Sequence, residues 1–334
     1  MISLSRLMGA ASAAILAAAA SAAVAQDLPP QPPQLPPIPA QPAPGAKYVT
    51  YPVRAGVYMI TTPGGNVAVQ VGPDGVLVVD TGAAGQGAEL LAEIRKLSNK
   101  PVRFIVNTNG DPDHIGGNVQ VAKAGELLEG GNTRPTAVSG SGGAPIWAHE
   151  GTLTRLASGA TAEGLPSDSY FVAQKDLFFN GEPVSLVHAK DAHTSGDSLV
   201  VFRRSDVIAA GDVFTPDRYP NLDLANGGSI QGYLDGLNHL LRLTIPEFNQ
   251  QGGTFVIPGH GRLSDEADVG EYRDMVTFIR DRVQDMVKRR MTLAQVKAAN
   301  PTFDYDPLYG AEAGAVFVEQ VYRSLTQGQG GQRR

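Results

Sequence analysis

The sequence predicts an α/β layered fold on two observations: short apolar runs of strand length that each stop at a turn, and helical stripes between and after them. Val76-Leu77-Val78-Val79 is apolar at every position, as a strand covered on both faces must be, and it stops at Asp80-Thr81-Gly82. Leu90, Leu91, Ile94 and Leu97 follow at helical spacing. Phe104-Ile105-Val106 is the next buried strand. Leu199-Val200-Val201-Phe202 and Val207-Ile208-Ala209-Ala210 form a pair joined by a turn at 203–206. Ser229 caps a helix carrying Tyr233, Leu234, Leu237, Leu240 and Leu241, and Phe255-Val256-Ile257 is a strand closed by Pro258-Gly259. A long helix over 269–288 shows Tyr272, Met275, Val276, Ile279, Val283, Met286 and Val287 on one stripe. Thr292-x-x-Gln295 is a capping box that starts a short last helix before Pro301.

The ends read differently. Arg6, the small apolar residues 7–20 and Ala23-Val24-Ala25 predict a secretory signal over 1–25, cleaved near Ala25, and hence a periplasmic or secreted protein with no stable membrane span afterwards. The 26–46 stretch is a proline-rich linker, with nine of the chain's 24 prolines. One folded domain spans 47–325, and 326–334 reads as a disordered tail. There is no cysteine, which removes disulfides and thiolate chemistry. A formal net charge of −6 without a Lys/Arg run excludes nucleic acid as a partner.

The chemistry gathers where apolar strands end. Asn107-Thr108-Asn109-Gly110-Asp111-Pro112-Asp113-His114 follows the strand at 104. Ala192-His193-Thr194-Ser195-Gly196-Asp197 precedes the strand at 199. Gly211-Asp212 follows the strand at 207, and Pro258-Gly259-His260-Gly261 the strand at 255. Loops at strand ends can converge while the sheet holds them rigid, and imidazole with carboxylate is the donor set for zinc, iron or manganese. Asp80, before Thr81-Gly82, reads as an outer residue that holds the ligand loop. His149 reads as structural or as a pocket rim, His188 as a strand residue and His239 as surface or core, and Gly227-Gly228-Ser229 as a substrate loop beside Asp212, since it lacks the lysine of a phosphate-binding loop.

These motifs, in this order, resemble the metallo-β-lactamase superfamily from about Val57 to His260. The resemblance implies a four-layer αββα sandwich with a metal site at one edge. It implies that His193 joins the residues at 109 and 111 on a first metal, that Asp113, His114 and His260 hold a second, and that Asp212 bridges. It also gives Asp113 a catalytic role, ligating the metal and orienting the nucleophile. The family's first two histidines are Asn109 and Asp111 here. Asp111 has a precedent of type in diiron members; Asn109, an amide, is a weak ligand or an outer-shell residue. The cofactor expected is one or two divalent ions, zinc first, with iron or manganese favoured by the carboxylate-rich set.

The function implied is an exported hydrolase that uses a metal-bound hydroxide on a small-molecule ester, lactone, thioester or β-lactam-type substrate. Two alternatives stand beside it: a degenerate, non-catalytic binding protein with this fold, supported by the change at Asn109 and Asp111, and a carboxylate-rich diiron redox protein. Oligomeric state is left open by the sequence.

Overall fold

The computed structural model describes residues 47–127, 143–158, 164–248 and 252–330. The expected signal segment and proline-rich linker lie outside these residues, as do 331–334. Two sheets form. The first takes β1 (Val49–Arg54), β2 (Val57–Thr61), β3 (Asn66–Gly72), β4 (Gly75–Val79), and then, after helix α1 (Gly87–Leu97), β5 (Val102–Val106). Two short helices, α2 (Pro112–Ile115) and α3 (Asn118–Lys123), lead to β6 (Ile146–His149), α4 (Glu150–Ala157) and the edge strand β7 (Asp168–Tyr170). Strands β1 to β4 pair antiparallel and β4 to β7 parallel, in sequence order.

The second sheet holds β8 (Gln174–Phe179), β9 (Glu182–His188), β10 (Ser198–Phe202), β11 (Val207–Gly211) and, after α5 (Ile230–Leu243), β12 (Phe255–Pro258). Its order is β12-β11-β10-β9-β8, and only β11 and β12 are parallel. The chain closes with α6 (Glu266–Lys288), α7 (Leu293–Ala298), α8 (Asp306–Tyr309) and α9 (Ala311–Gly330).

Alternation along each strand splits the apolar residues between two faces. Leu77, Val79 and Val106 point inward against Leu186, Val200, Phe202 and Ile257 of the other sheet. Val76, Val78 and Ile105 point outward under Leu90 and Ile94 of α1 and Val121 of α3. On the far side, Leu199, Ile208 and Val256 pack under Tyr233 and Leu237 of α5, Val276 and Ile279 of α6, and Phe317 and Val321 of α9. These three cores are the spaces between four layers, in the order αββα.

Two expectations change. The long helix starts at Glu266, where Asp265 caps it by accepting from the Ala267 and Asp268 amides. The helix begun by Thr292 is not the last: α9 follows, and the expected tail boundary at 325 falls inside it. Its Gly- and Ala-rich sequence concealed a helix that Phe317, Val318 and Val321 hold in place by burial. Among the described residues, no helix is long and apolar enough to cross a membrane.

Candidate metal centre

Strand β5 ends in a loop held by one carboxylate. The Thr108 amide and hydroxyl both donate to Asp80, each at 2.7 Å, and His114 Nδ1 lies 2.8 Å from the same carboxylate. Asp80 itself sits at φ 63°, a left-handed conformation that turns its side chain back under the loop. A buried network of Asn107, Asn118 and Thr81 ties the next turn to the strand ends. From β3 of the same sheet, the Asn66 side-chain amide reaches across to donate to the carbonyls of Pro258 and Gly261 and so clamps the turn after β12 that carries His260. His193 Nδ1 donates to the Asn221 carbonyl at 2.7 Å.

Six of the predicted residues meet at this edge in two groups: Asp113, His114 and His260, and Asp111, His193 and Asp212, each with donor atoms within 4.8 Å of one another. Asp212 lies between the groups. Its Oδ2 is 3.2 Å from His114 Nε2 and 3.7 Å from His193 Nε2, and its Oδ1 is 3.6 Å from His260 Nε2. His260 Nε2 is 3.2 Å from Asp113, and His193 Nε2 3.0 Å from Asp111. A tetrahedral ion with ligands at about 2.0–2.1 Å sets its donors about 3.3 Å apart, so this spacing suits a shared cation. His114 Nε2 and Asp212 Oδ1 are moreover buried with no hydrogen-bond partner, which is costly unless something binds there. For the second group, the donors present fit a divalent ion.

Electrostatics agree. Burial would depress His114, but Asp212 and Asp80 overcome it and hold the imidazole well above its ordinary value. Burial also opposes His193, yet Asp111, Asp197 and Asp212 raise it to about 10. Asp212 is buried, and the three imidazoles around it hold it far below the usual carboxylate range. The hydrogen bond from His260 holds Asp113 low. Protons on the histidines thus stand where a cation would neutralise the carboxylates.

Asn109 is not turned as a ligand. Its Oδ1 accepts from the Asp111 amide at 2.8 Å, and its Nδ2 faces Asp212 Oδ2 at 3.4 Å. Sequence reasoning missed Arg155, whose Nη1 lies 2.5 Å from Asp111 Oδ1, with Nη2 3.4 Å from Asp223. Nothing in the local sequence marks this arginine on an ordinary amphipathic helix. His149 and His188 stack at 3.6 Å outside the centre, and His239 is half-buried on α5. The 227–229 turn packs on the His193 loop, where a Cβ on Gly228 would come within 2.0 Å of the His193 carbonyl. A cleft of about 300 Å³ opens beside His260, lined by Tyr51, Met59, Thr62, Gly65, Arg218 and Arg262.

The sequence model of the Metallo-beta-lactamase superfamily matches residues 60–262, which hold every candidate metal ligand. The chain belongs to this superfamily. A linear primary-alkylsulfatase from Pseudomonas sp. (strain ATCC 19151) is 24% identical over 294 residues, covering 75% of this chain and 54% of its own. The chain thus spans about half the length of that curated relative. Among solved structures, the superfamily fold is shared with the inverting sec-alkylsulfatase Pisa1 from Pseudomonas sp. (TM-score 0.63, 14% identity, covering 86% of this chain and 52% of Pisa1). It is shared too with a metallo-beta-lactamase from Pontibacter korlensis (TM-score 0.53, 18% identity, 69% and 99%).

Proposed function

We propose that this superfamily member is a metal-dependent hydrolase of a small organic substrate, with its ion held by Asp113, His114, His260 and Asp212. The carrying observation is the pair of buried, unpartnered donor atoms, His114 Nε2 and Asp212 Oδ1, at coordination spacing from each other's neighbours. A divalent ion there supplies Lewis acidity and brings the pKa of a water toward neutrality. Asp80 keeps the His114 ring turned so that Nε2 faces the pocket. Asp113 is more open than its neighbours, with a side chain 37% exposed, and is the carboxylate placed to take a proton from an incoming water while it orients it. The cleft beside His260 receives the organic part of the substrate.

Zinc is the first ion to test, then iron and manganese, because three carboxylates share the centre with three imidazoles. Sulfate esters join the carboxylic esters, lactones, thioesters and β-lactams as substrates, since the relative and the structural neighbour are named alkylsulfatases. The experiment is a panel of these substrates against apo protein reconstituted with each ion. At least one class should turn over, with loss on His260→Ala. A silent panel with under about a tenth of an equivalent of bound metal would overturn the reading and favour a non-catalytic binding protein. Export is proposed on the Arg6 and Ala23-Val24-Ala25 pattern; a secreted chain starting at Gln26 is the expected result of N-terminal sequencing.

A further inference from the structure

We infer that Arg155 is the built-in cation of the first pocket, so that the chain holds one divalent ion rather than two. This rests on the reading above that the second pocket carries the metal. The first pocket offers Asp111, His193 and Asp212, but each of its carboxylates already faces an N–H donor, and for Asp111 that donor is a cation. Arg155 Nη1 stands 2.5 Å from Asp111 Oδ1, and the Asn109 amide N–H is directed at Asp212 Oδ2. The Asn109 orientation is fixed by chemistry: the Asp111 amide N–H needs an acceptor, and an amide turned over would set N–H against N–H. The residue at 109 therefore points the positive end of its dipole into the pocket and offers no lone pair to it.

Arg155 is anchored. Helix α4 is capped by His149, whose Nδ1 accepts from the Gly151 amide, and the Thr152 hydroxyl donates to the Gly196 carbonyl at 2.9 Å. That fixes α4 on the loop that carries His193. Asp223 takes the other side of the guanidinium. A second divalent ion beside this arginine would meet a like charge at short range, in a site too buried for water to screen it well. The second pocket carries no such burden, because among the described residues no arginine or lysine forms an ion pair with Asp113 or Asp212.

Native mass spectrometry and competitive zinc titration against a chromophoric chelator, on the full chain, test this. Wild type should hold one ion, with any second bound at least a hundredfold more weakly. Arg155→Gln should tighten the second ion at least tenfold, while Arg155→Lys, which keeps the charge, should not. Circular dichroism establishes that each variant is folded. Should Arg155→Gln fail to fold, Asn109→His supplies the comparison: with Arg155 in place, the added imidazole should still leave the second ion at least tenfold weaker than the first. Two ions bound by wild type within a hundredfold of each other, or a second ion tightened less than tenfold by Arg155→Gln, overturns the inference and leaves the proposed function standing. A wild type that takes up no ion overturns both.

Discussion

At single residues, the centre depends on side chains that never touch a metal. Asp80 bonds the Thr108 amide, the Thr108 hydroxyl and His114, so it sets both the loop and the imidazole tautomer. Asp80→Ala should lower metal affinity about 10- to 100-fold, read by chelator competition. His149 offers a pH signature. Burial and the neighbouring His188 lower it from 6.5 to about 4, so between those values the unfolded chain binds the proton and the folded chain does not. Stability of the metal-free protein should therefore fall as pH drops through that window, with no contribution from His149 above it. His114 and His193 are raised and keep protons that the unfolded chain loses as pH climbs past 6.5, so toward pH 7 they add a slope of the opposite sign, shared by wild type and a His149 variant. His188 is itself lowered; Tyr170 and Glu150 are the other titratable groups beside the ring. From pH 7 to pH 5 the melting temperature of wild type should fall relative to that of His149→Asn, because asparagine keeps the cap on α4 without the titration. Equal differences would remove His149 from the account.

Elements deliver these residues by where they stop. The turn after β12 runs so close to β11 that a Cβ on Gly259 would lie 2.4 Å from Asp212 Oδ1 and 2.7 Å from the Gly211 backbone. Gly259→Ala should displace that carboxylate and weaken metal binding at least tenfold while far-ultraviolet circular dichroism stays unchanged. Away from the centre, Asp265→Ala removes the cap of α6 and should cost about 1 kcal/mol in denaturant unfolding. The candidate ligands at strand ends were legible in the sequence because each follows or precedes an apolar run, and position on a strand end is a local property. Arg155 was not legible: its partners, Asp111 and Asp223, come within reach only when α4 folds onto the His193 loop. Helix α9 was missed for a related reason, since Phe317, Val318 and Val321 on a long, weakly apolar segment make a helix only once α6 is there to receive them.

For the molecule as a whole, the inter-sheet core aligns the two halves of the centre. Leu186 is fully buried in that core, and Leu186→Ala should cost about 2–5 kcal/mol in denaturant unfolding. Chelation should lower the melting temperature as well, because an ion that binds only the folded state stabilises it by mass action. Each group of donors draws from both sheets: Asp113 and His114 follow β5, whereas His260 follows β12, the final strand. A growing polypeptide therefore cannot assemble a complete set of these donors until residue 260 has joined it. Ion uptake becomes a clock for the end of folding, and during refolding its signal should trail that of backbone structure.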